Sequence, residues 1–166
     1  MAVFKDDMSV GYMGSTESLI YNILSGNYRR SYLTFKIPDD NIPITIRAEA
    51  EKKTRISYKK EENKAIIKIY MEGEFVSLSS DKYTENNIKD FEKASSEALK
   101  ESTIKFLKKT RDEFDSDIIG IGQKARKNFL TEADFEQFNW KERYKDIKFD
   151  VNVTLNIRRT GLISRK

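Results

Sequence analysis

The sequence predicts an α+β fold: a largely antiparallel β-sheet with one long helix packed on a face, plus shorter helices. Three observations support this prediction. Apolar and polar residues alternate, as in strands with one wet face, over 44–58, 65–78 and 149–158. A long amphipathic helical pattern, 84–114, precedes the last of these strands. Most predicted strands follow one another through short turns, which favours antiparallel pairing.

The N-terminal half contains five predicted strands and one short helix. In order, these are strands at 2–5 and 10–13, a helix that begins at Ser15 or Thr16 and ends at Gly26, a strand at 32–37, and a hairpin with arms 44–58 and 65–78. Gly73 lies within the second arm and predicts a bulge, because an isolated glycine in a strand often marks one.

The C-terminal half is mainly helical before a final strand. We expect the long helix to cover the apolar face of the sheet and to be followed by a tight turn at 117–122, where two glycines permit a positive φ. A second helical region runs from Gln123 to about Asp146, with a break near Leu130 and an N-cap at Thr131. The strand 149–158 is the most regular in the sequence, and Gly161 follows its end.

Composition limits the possible chemistry. The chain has 166 residues, which we interpret as a single domain, 1–166. Cysteine and histidine are both absent, which excludes thiol nucleophiles, Cys/His zinc sites and imidazole acid–base catalysis. The 31 basic residues are interspersed with 27 acidic ones, unlike the uninterrupted basic clusters of nucleic-acid binders. We therefore expect no nucleic-acid partner and no cofactor.

Three motifs invite a chemical interpretation that the sequence does not favour. Gly120-Ile121-Gly122 resembles the start of a phosphate-binding loop, but a helix precedes it instead of a strand, so a helix-to-helix turn is the better interpretation. Asp112, Asp115 and Asp117 include carboxylates that a hard cation accepts, but neither counting frame gives the ligand pattern of an EF-hand. Paired carboxylates for hydrolysis remain possible among the 27 acidic residues, with no pair singled out.

Two aromatic features are also more consistent with structural roles. Trp140 is the only tryptophan, and we interpret it as an anchor at the core or its rim. Tyr28, Arg29, Arg30 and Tyr32 form a basic-aromatic cluster of the kind that stacks on nucleic acid, but the cluster is short and isolated.

An ordered set of segments suggests a family. The N-terminal AVFKDDMSVGYMGSTESLIYNILSG, the element 117–122, Trp140 with the following Tyr144-Lys145-Asp146, and the strand 151–161 occur in this order. Together they resemble the C-terminal domain of the C-subunit lipoproteins of spore germinant receptors. Ile118, Ile119 and Ile121 stand where the family commonly has Phe.

This resemblance implies a non-enzymatic role in spore germination, through protein docking or signal relay. It implies that the full-length protein is anchored to the outer face of the spore inner membrane by a lipid upstream of this sequence. Its partners would be the two membrane-embedded subunits of the receptor. The resemblance assigns structural or interaction roles, with no catalytic, cofactor or metal function, to Gly11, Asp117, Gly120, Gly122, Trp140 and Gly161.

Alternatives remain open at the level of sequence. The domain could itself bind a small germinant in an apolar pocket with a few polar groups, or, less favoured, act as a carboxylate-dependent hydrolase. For docking, exposed aromatics and glycine-shaped turns single out Tyr12, Tyr28 and Ile121.

Overall fold

The computed structural model describes residues 1–5, 7–36, 43–77 and 88–159. The elements are β1 (Ala2–Lys5), β2 (Met8–Tyr12), α1 (Ser15–Ser25), β3 (Arg30–Lys36), β4 (Pro43–Lys59), β5 (Lys64–Ser77), α2 (Ile88–Asp112), α3 (Ile121–Arg126), α4 (Glu132–Phe138), α5 (Trp140–Lys145) and β6 (Lys148–Arg159). The predicted α+β class is confirmed.

Six strands form two sheets in the described part of the chain. β1 and β2 form a separate antiparallel hairpin, and the larger sheet has the order β3-β4-β5-β6. β3, β4 and β5 are consecutive and antiparallel, as predicted, whereas β6 pairs with β5 in parallel. The parallel pair follows from the connection, because the helices α2 to α5 lie between the two strands and bring the chain back to the starting end of β5.

The long hairpin of β4 and β5 is irregular at defined points. The pairing of β4 with β5 shifts between Ala50 and Lys52 and again between Lys52 and Arg55. The bulge predicted at Gly73 appears on one side only: pairing with β4 continues through Gly73, whereas the register with β6 shifts between Gly73 and Glu74. The ladder of β4 with β5 is therefore irregular in its middle, whereas the turn end from Ile56 to Lys59 is regular.

One face of the larger sheet is covered by α2, as the amphipathic pattern predicts. Phe91, Phe106 and Leu107 are fully buried, and each contributes about 1.5–3 kcal/mol relative to an exposed position. The buried side of the helix continues through Ser95, Leu99, Thr103 and Thr110. Ala94 and Ala98 are only half-buried.

The buried threonines of α2 are tolerated because their hydroxyls are satisfied locally. Thr103 Oγ1 donates to the carbonyl of Leu99 at 2.7 Å, and Thr110 Oγ1 donates to that of Leu107 at 2.7 Å. A hydroxyl that bonds back to its own helix enters an apolar interface without losing a hydrogen bond. Hydropathy alone does not predict these buried positions.

Several boundaries differ from the sequence prediction. β2 spans Met8–Tyr12 instead of 10–13, and β3 begins at Arg30 instead of Tyr32. The second helical region consists of three helices, because Asn139 adopts a left-handed φ of 51° and separates α4 from α5. The predicted N-cap is confirmed: Thr131 Oγ1 accepts from the amide of Asp134 at 3.1 Å. The predicted helix start at 84–87 and Gly161 lie outside the described residues.

Alkaline pH provides a test of the core at β3 and β4. The buried hydroxyl of Tyr28 donates to the carbonyl of Ala48 at 2.8 Å, and burial raises the pKa of Tyr28 to about 12. Since the folded-state pKa lies above the unfolded value of about 10, the stabilisation from the neutral phenol is complete below about pH 10 and is lost as the pH rises toward 12. We expect the free energy of unfolding, from urea titrations, to fall across this window and to fall less in Tyr28→Phe.

The matched control for this experiment is Tyr32→Phe, because Tyr32 lies close by in sequence, on β3, and is exposed. Its alkaline profile should follow the wild type. An identical slope in Tyr28→Phe and the wild type would show that the buried phenol does not cause the loss of stability.

Candidate functional site

The carboxylate of Asp117, which precedes α3, is held by four hydrogen bonds. It accepts hydrogen bonds from the backbone amides of Gly120, Ile121 and Gly122 at 3.0, 2.9 and 2.6 Å. It also accepts one from the indole Nε1 of Trp140 at 3.2 Å. We call these five residues the Asp117 junction. The carboxylate satisfies the amides that the first turn of a helix leaves unpaired.

Both glycines of the junction are required by geometry. Gly120 has a φ of 77°, in the left-handed region that side chains disfavour. At Gly122, a Cβ atom would lie 2.5 Å from Nε1 of Trp140, closer than van der Waals contact permits. The absence of a side chain at Gly122 therefore lets the indole reach the carboxylate of Asp117.

Trp140 connects this junction to the hairpin and to α2. Its ring packs edge-on against Tyr58, with centroids 5.2 Å apart, and lies 5.9 Å from the ring of Tyr144. The hydroxyl of Tyr144 is 2.8 Å from Oγ1 of Thr110 on α2, and burial raises the pKa of Tyr144. The junction thus forms part of a second apolar cluster between the hairpin and the short helices.

The predicted residues do not all come together. Asp117, Gly120, Gly122 and Trp140 form one site, whereas Gly11 lies on β2 under Phe114. A Cβ atom at Gly11 would lie 2.5 Å from Cε1 of that ring. Gly161 lies outside the described residues.

Two acidic residues at and after the end of α2 form ion pairs with different basic residues. Asp112 pairs with Arg111 at 2.6 Å, and Asp115 pairs with Lys5 at 2.6 Å. In each case the basic neighbour lowers the pKa of the carboxyl group. Within the described residues, no group of three or more acidic side chains converges as a metal site requires.

A second polar feature covers the face of the larger sheet that α2 leaves uncovered. We call it the open sheet face, formed here by Arg30, Arg47, Glu49, Glu72, Glu74 and Arg158. Arg30 pairs with Glu49 at 2.6 Å. Arg47 pairs with Glu74, and Arg158 pairs with Glu72. These side chains surround a shallow cleft of about 250 Å³.

Comparison with known proteins identifies the family. A family model described as "Spore germination B3/ GerAC like, C-terminal" matches residues 1–161. The chain belongs to this family. The resemblance drawn from the sequence motifs is confirmed.

A solved structure agrees with the fold. The chain is similar to the structure titled "Crystal Structure of the GerBC protein", with a TM-score of 0.72 and 15% sequence identity. The match covers 92% of this chain and 48% of that one, so the chain spans about half the length of that protein. A search of curated proteins found no match.

Of the three residues predicted for docking, one is exposed. Tyr12 has 73% of its surface accessible, and Met1, Phe4 and Met8 in the same N-terminal segment are also exposed. Tyr28 and Ile121 are buried, so these two predictions are wrong. Tyr28 turns inward to bond the carbonyl of Ala48, and Ile121 lies in the second apolar cluster.

Sequence reasoning missed the open sheet face. The signal was present: Arg47 and Glu49 alternate with buried residues on one arm of the predicted hairpin, and Glu72 and Glu74 do so on the other. Pairing of the charges depends on the strand register, which alternation alone does not provide.

In the described residues no helix is long and apolar enough to cross a membrane.

The close contact at the junction predicts the effect of adding one methyl group. Gly122→Ala should lower the free energy of unfolding by about 1–3 kcal/mol, because the new Cβ displaces the indole of Trp140. The measurement is urea denaturation of Gly122→Ala, Trp140→Leu and the double variant. If the contact is the cause, the glycine substitution costs less when Trp140 is already replaced. Equal costs in both backgrounds would contradict this explanation.

Proposed function

We propose that this domain is the non-enzymatic, C-terminal docking domain of a C subunit in a spore germinant receptor. In this proposal the full-length protein is held by a lipid anchor on the outer face of the spore inner membrane. The domain binds the two membrane-embedded receptor subunits there and relays or supports the germination signal. Family membership supports a role in spore germination. The open sheet face supports a role in binding other proteins.

One observation carries the proposal: the open sheet face is broad, polar and built from paired charges on all four strands. Ion pairs between exposed side chains contribute only about 0–1 kcal/mol each to stability. Their value for folding is small, whereas charges arranged in a fixed pattern select and orient a partner. A rigid sheet presents such a pattern at low entropic cost on binding.

The carboxylates of the open sheet face and of the Asp117 junction also have structural partners. Glu49, Glu72 and Glu74 are paired with arginines. Asp117 is used by the backbone of α3 and by Trp140. Catalysis by two carboxylates requires one of them to be held in a different protonation state from the other. The observed pairing favours docking over hydrolysis.

Capture of the membrane subunits tests the proposal. The full-length lipoprotein, solubilised with the two membrane subunits in mild detergent, should recover both of them. Arg47→Glu places a carboxylate beside Glu74, and we expect it to lower recovery about fivefold or more. Lys127→Glu makes the same charge change at an exposed position outside the open sheet face and should match the wild type.

Circular dichroism checks that both variants remain folded. Failure of the folded wild type to recover either subunit would contradict docking. Equal recovery by the two charge-reversal variants would exclude the open sheet face as the surface involved.

A second candidate function is binding of a zwitterionic germinant. The cleft in the open sheet face contains guanidinium and carboxylate groups, the two charges that an amino-acid ligand requires. A ligand that binds the native state raises the apparent stability. If the cleft binds free amino acids, one or more of them should raise the unfolding temperature of the wild type in a thermal-shift screen. The same amino acids should not raise that of Arg47→Glu. We favour docking because each arginine of the cleft already has a carboxylate partner.

A further inference from the structure

The outer edge of β3 is open in the described part of the chain. β3 pairs with β4 on one side, and no described strand pairs with the other. The amide of Ala50 donates to the carbonyl of Arg29 at 3.3 Å, which makes these two residues a hydrogen-bonded pair. Since such pairs alternate along an antiparallel ladder, Ser31 and Leu33 direct their backbone groups toward β4. The backbone groups of Tyr32 and Thr34 therefore point outward.

A groove runs along this edge. It has a volume of about 570 Å³ and lies between α1, β3 and α2. Four consecutive residues of β3, from Ser31 to Thr34, line it. Because neighbouring residues of a strand face opposite sides of the sheet, a cavity that touches all four lies along the edge instead of on one face. The groove therefore leads directly to the outward backbone groups.

The walls of the groove suit small apolar side chains. Leu19 of α1, Leu33 of β3 and Leu99 of α2 provide aliphatic surface, and Ala98 and Ser102 keep the α2 side shallow. The helices on the two sides are linked, since Lys109 of α2 pairs with Glu17 of α1 at 2.8 Å. An added strand would direct alternate side chains into such a groove, as in peptide recognition by strand addition.

Charge distinguishes between possible occupants. The edge strand is flanked by basic residues: Arg29 precedes it, Arg30 begins it and Lys36 ends it. Arg30 also pairs with Glu49 of β4, so Arg29 adds a second positive charge at the start of the edge. A second copy pairing antiparallel about Leu33 would place Arg30 opposite Lys36, and like charges directly opposite destabilise a strand pair. Acidic residues at both ends of an incoming segment would instead be attracted. Two residues of the basic-aromatic cluster noted in the sequence, Arg30 and Tyr32, lie on this edge strand.

From this edge, groove and charge we infer that β3 accepts an extended segment of a partner protein as an added strand. The segment carries small apolar residues at alternate positions and acidic residues at its two ends. This inference rests on the proposed docking function and specifies the backbone edge at which the partner binds.

The probe is a synthetic peptide in which valine and threonine alternate between two terminal glutamates. Its control has the same interior between two terminal lysines. In titrations followed by amide NMR, the glutamate peptide should perturb the amides of Tyr32 and Thr34 first. It should bind about tenfold or more tightly than the lysine peptide, because only the former complements the basic ends.

A pair of variants at one position isolates the backbone contact. Thr34→Pro removes an amide that points outward, so the bonds of β3 to β4 remain and the strand tolerates the proline. Thr34→Val keeps the amide. Both remove the hydroxyl that lies 3.0 Å from Oγ1 of Thr45. We expect Thr34→Pro to weaken peptide binding about tenfold or more, relative to Thr34→Val.

Three outcomes would overturn the inference: no binding of the glutamate peptide, perturbations that map away from β3, or equal affinities for Thr34→Pro and Thr34→Val. Loss of peptide binding in Thr34→Pro alone would support it. Capture of the membrane subunits by the wild type tests a separate claim. Failure there contradicts the docking function, whereas failure of the peptide titration contradicts only the assignment of the β3 edge.

Discussion

The larger sheet has two faces and the described chain covers only one of them, and most features of the domain follow from this imbalance. The covered face buries alternate residues such as Ile46, Ile67 and Leu155 under α2. The opposite face must tolerate water, so the intervening positions carry charges. Those charges lie across neighbouring strands and pair: Arg47 of β4 with Glu74 of β5, and Glu72 of β5 with Arg158 of β6. Strand alternation thus generates both the core and the candidate docking face.

Pairing also resolves a local conflict on that face. Glu49 and Glu72 are directly opposite in the register of β4 and β5, where like charges repel. Glu72 is only 7% exposed, which adds a cost of desolvation. Arg30 binds Glu49 and Arg158 binds Glu72, so arginines from the two outer strands neutralise the two central carboxylates. The arginines of the two outer strands therefore offset the repulsion and the desolvation at the centre of this face.

The sequence predicted the parts of this arrangement that depend on local pattern. Alternation identified β4, β5 and β6, and helical spacing identified α1 and α2. The N-cap at Thr131 followed from its hydroxyl. The prediction was wrong where spatial neighbours decide the outcome. Tyr28 and Ile121 were expected at the surface and are buried, because burial of an aromatic or aliphatic side chain depends on elements far away in sequence.

The Asp117 junction also contains a feature that local sequence patterns could not predict. The sequence indicated a turn at the two glycines, and Gly120 adopts the left-handed conformation that such a turn requires. The role of Gly122 could not be derived in this way. It depends on contact with Trp140, and that contact exists only because the start of α5 lies against the start of α3. A pattern within the turn contains no information about an indole contributed eighteen positions later.

The two edges of the larger sheet differ in whether described residues cover their outward backbone amides. At β6 the chain covers its own edge: Ser96 accepts from the amide of Leu155 at 3.1 Å, and Glu92 accepts from that of Ile157 at 2.6 Å. Covering of this kind is a common protection against unwanted strand pairing. At β3 no described residue covers the outward amide of Thr34 in this way. An incoming strand therefore has one usable edge, and a partner bound there would lie next to Arg30, at the margin of the open sheet face.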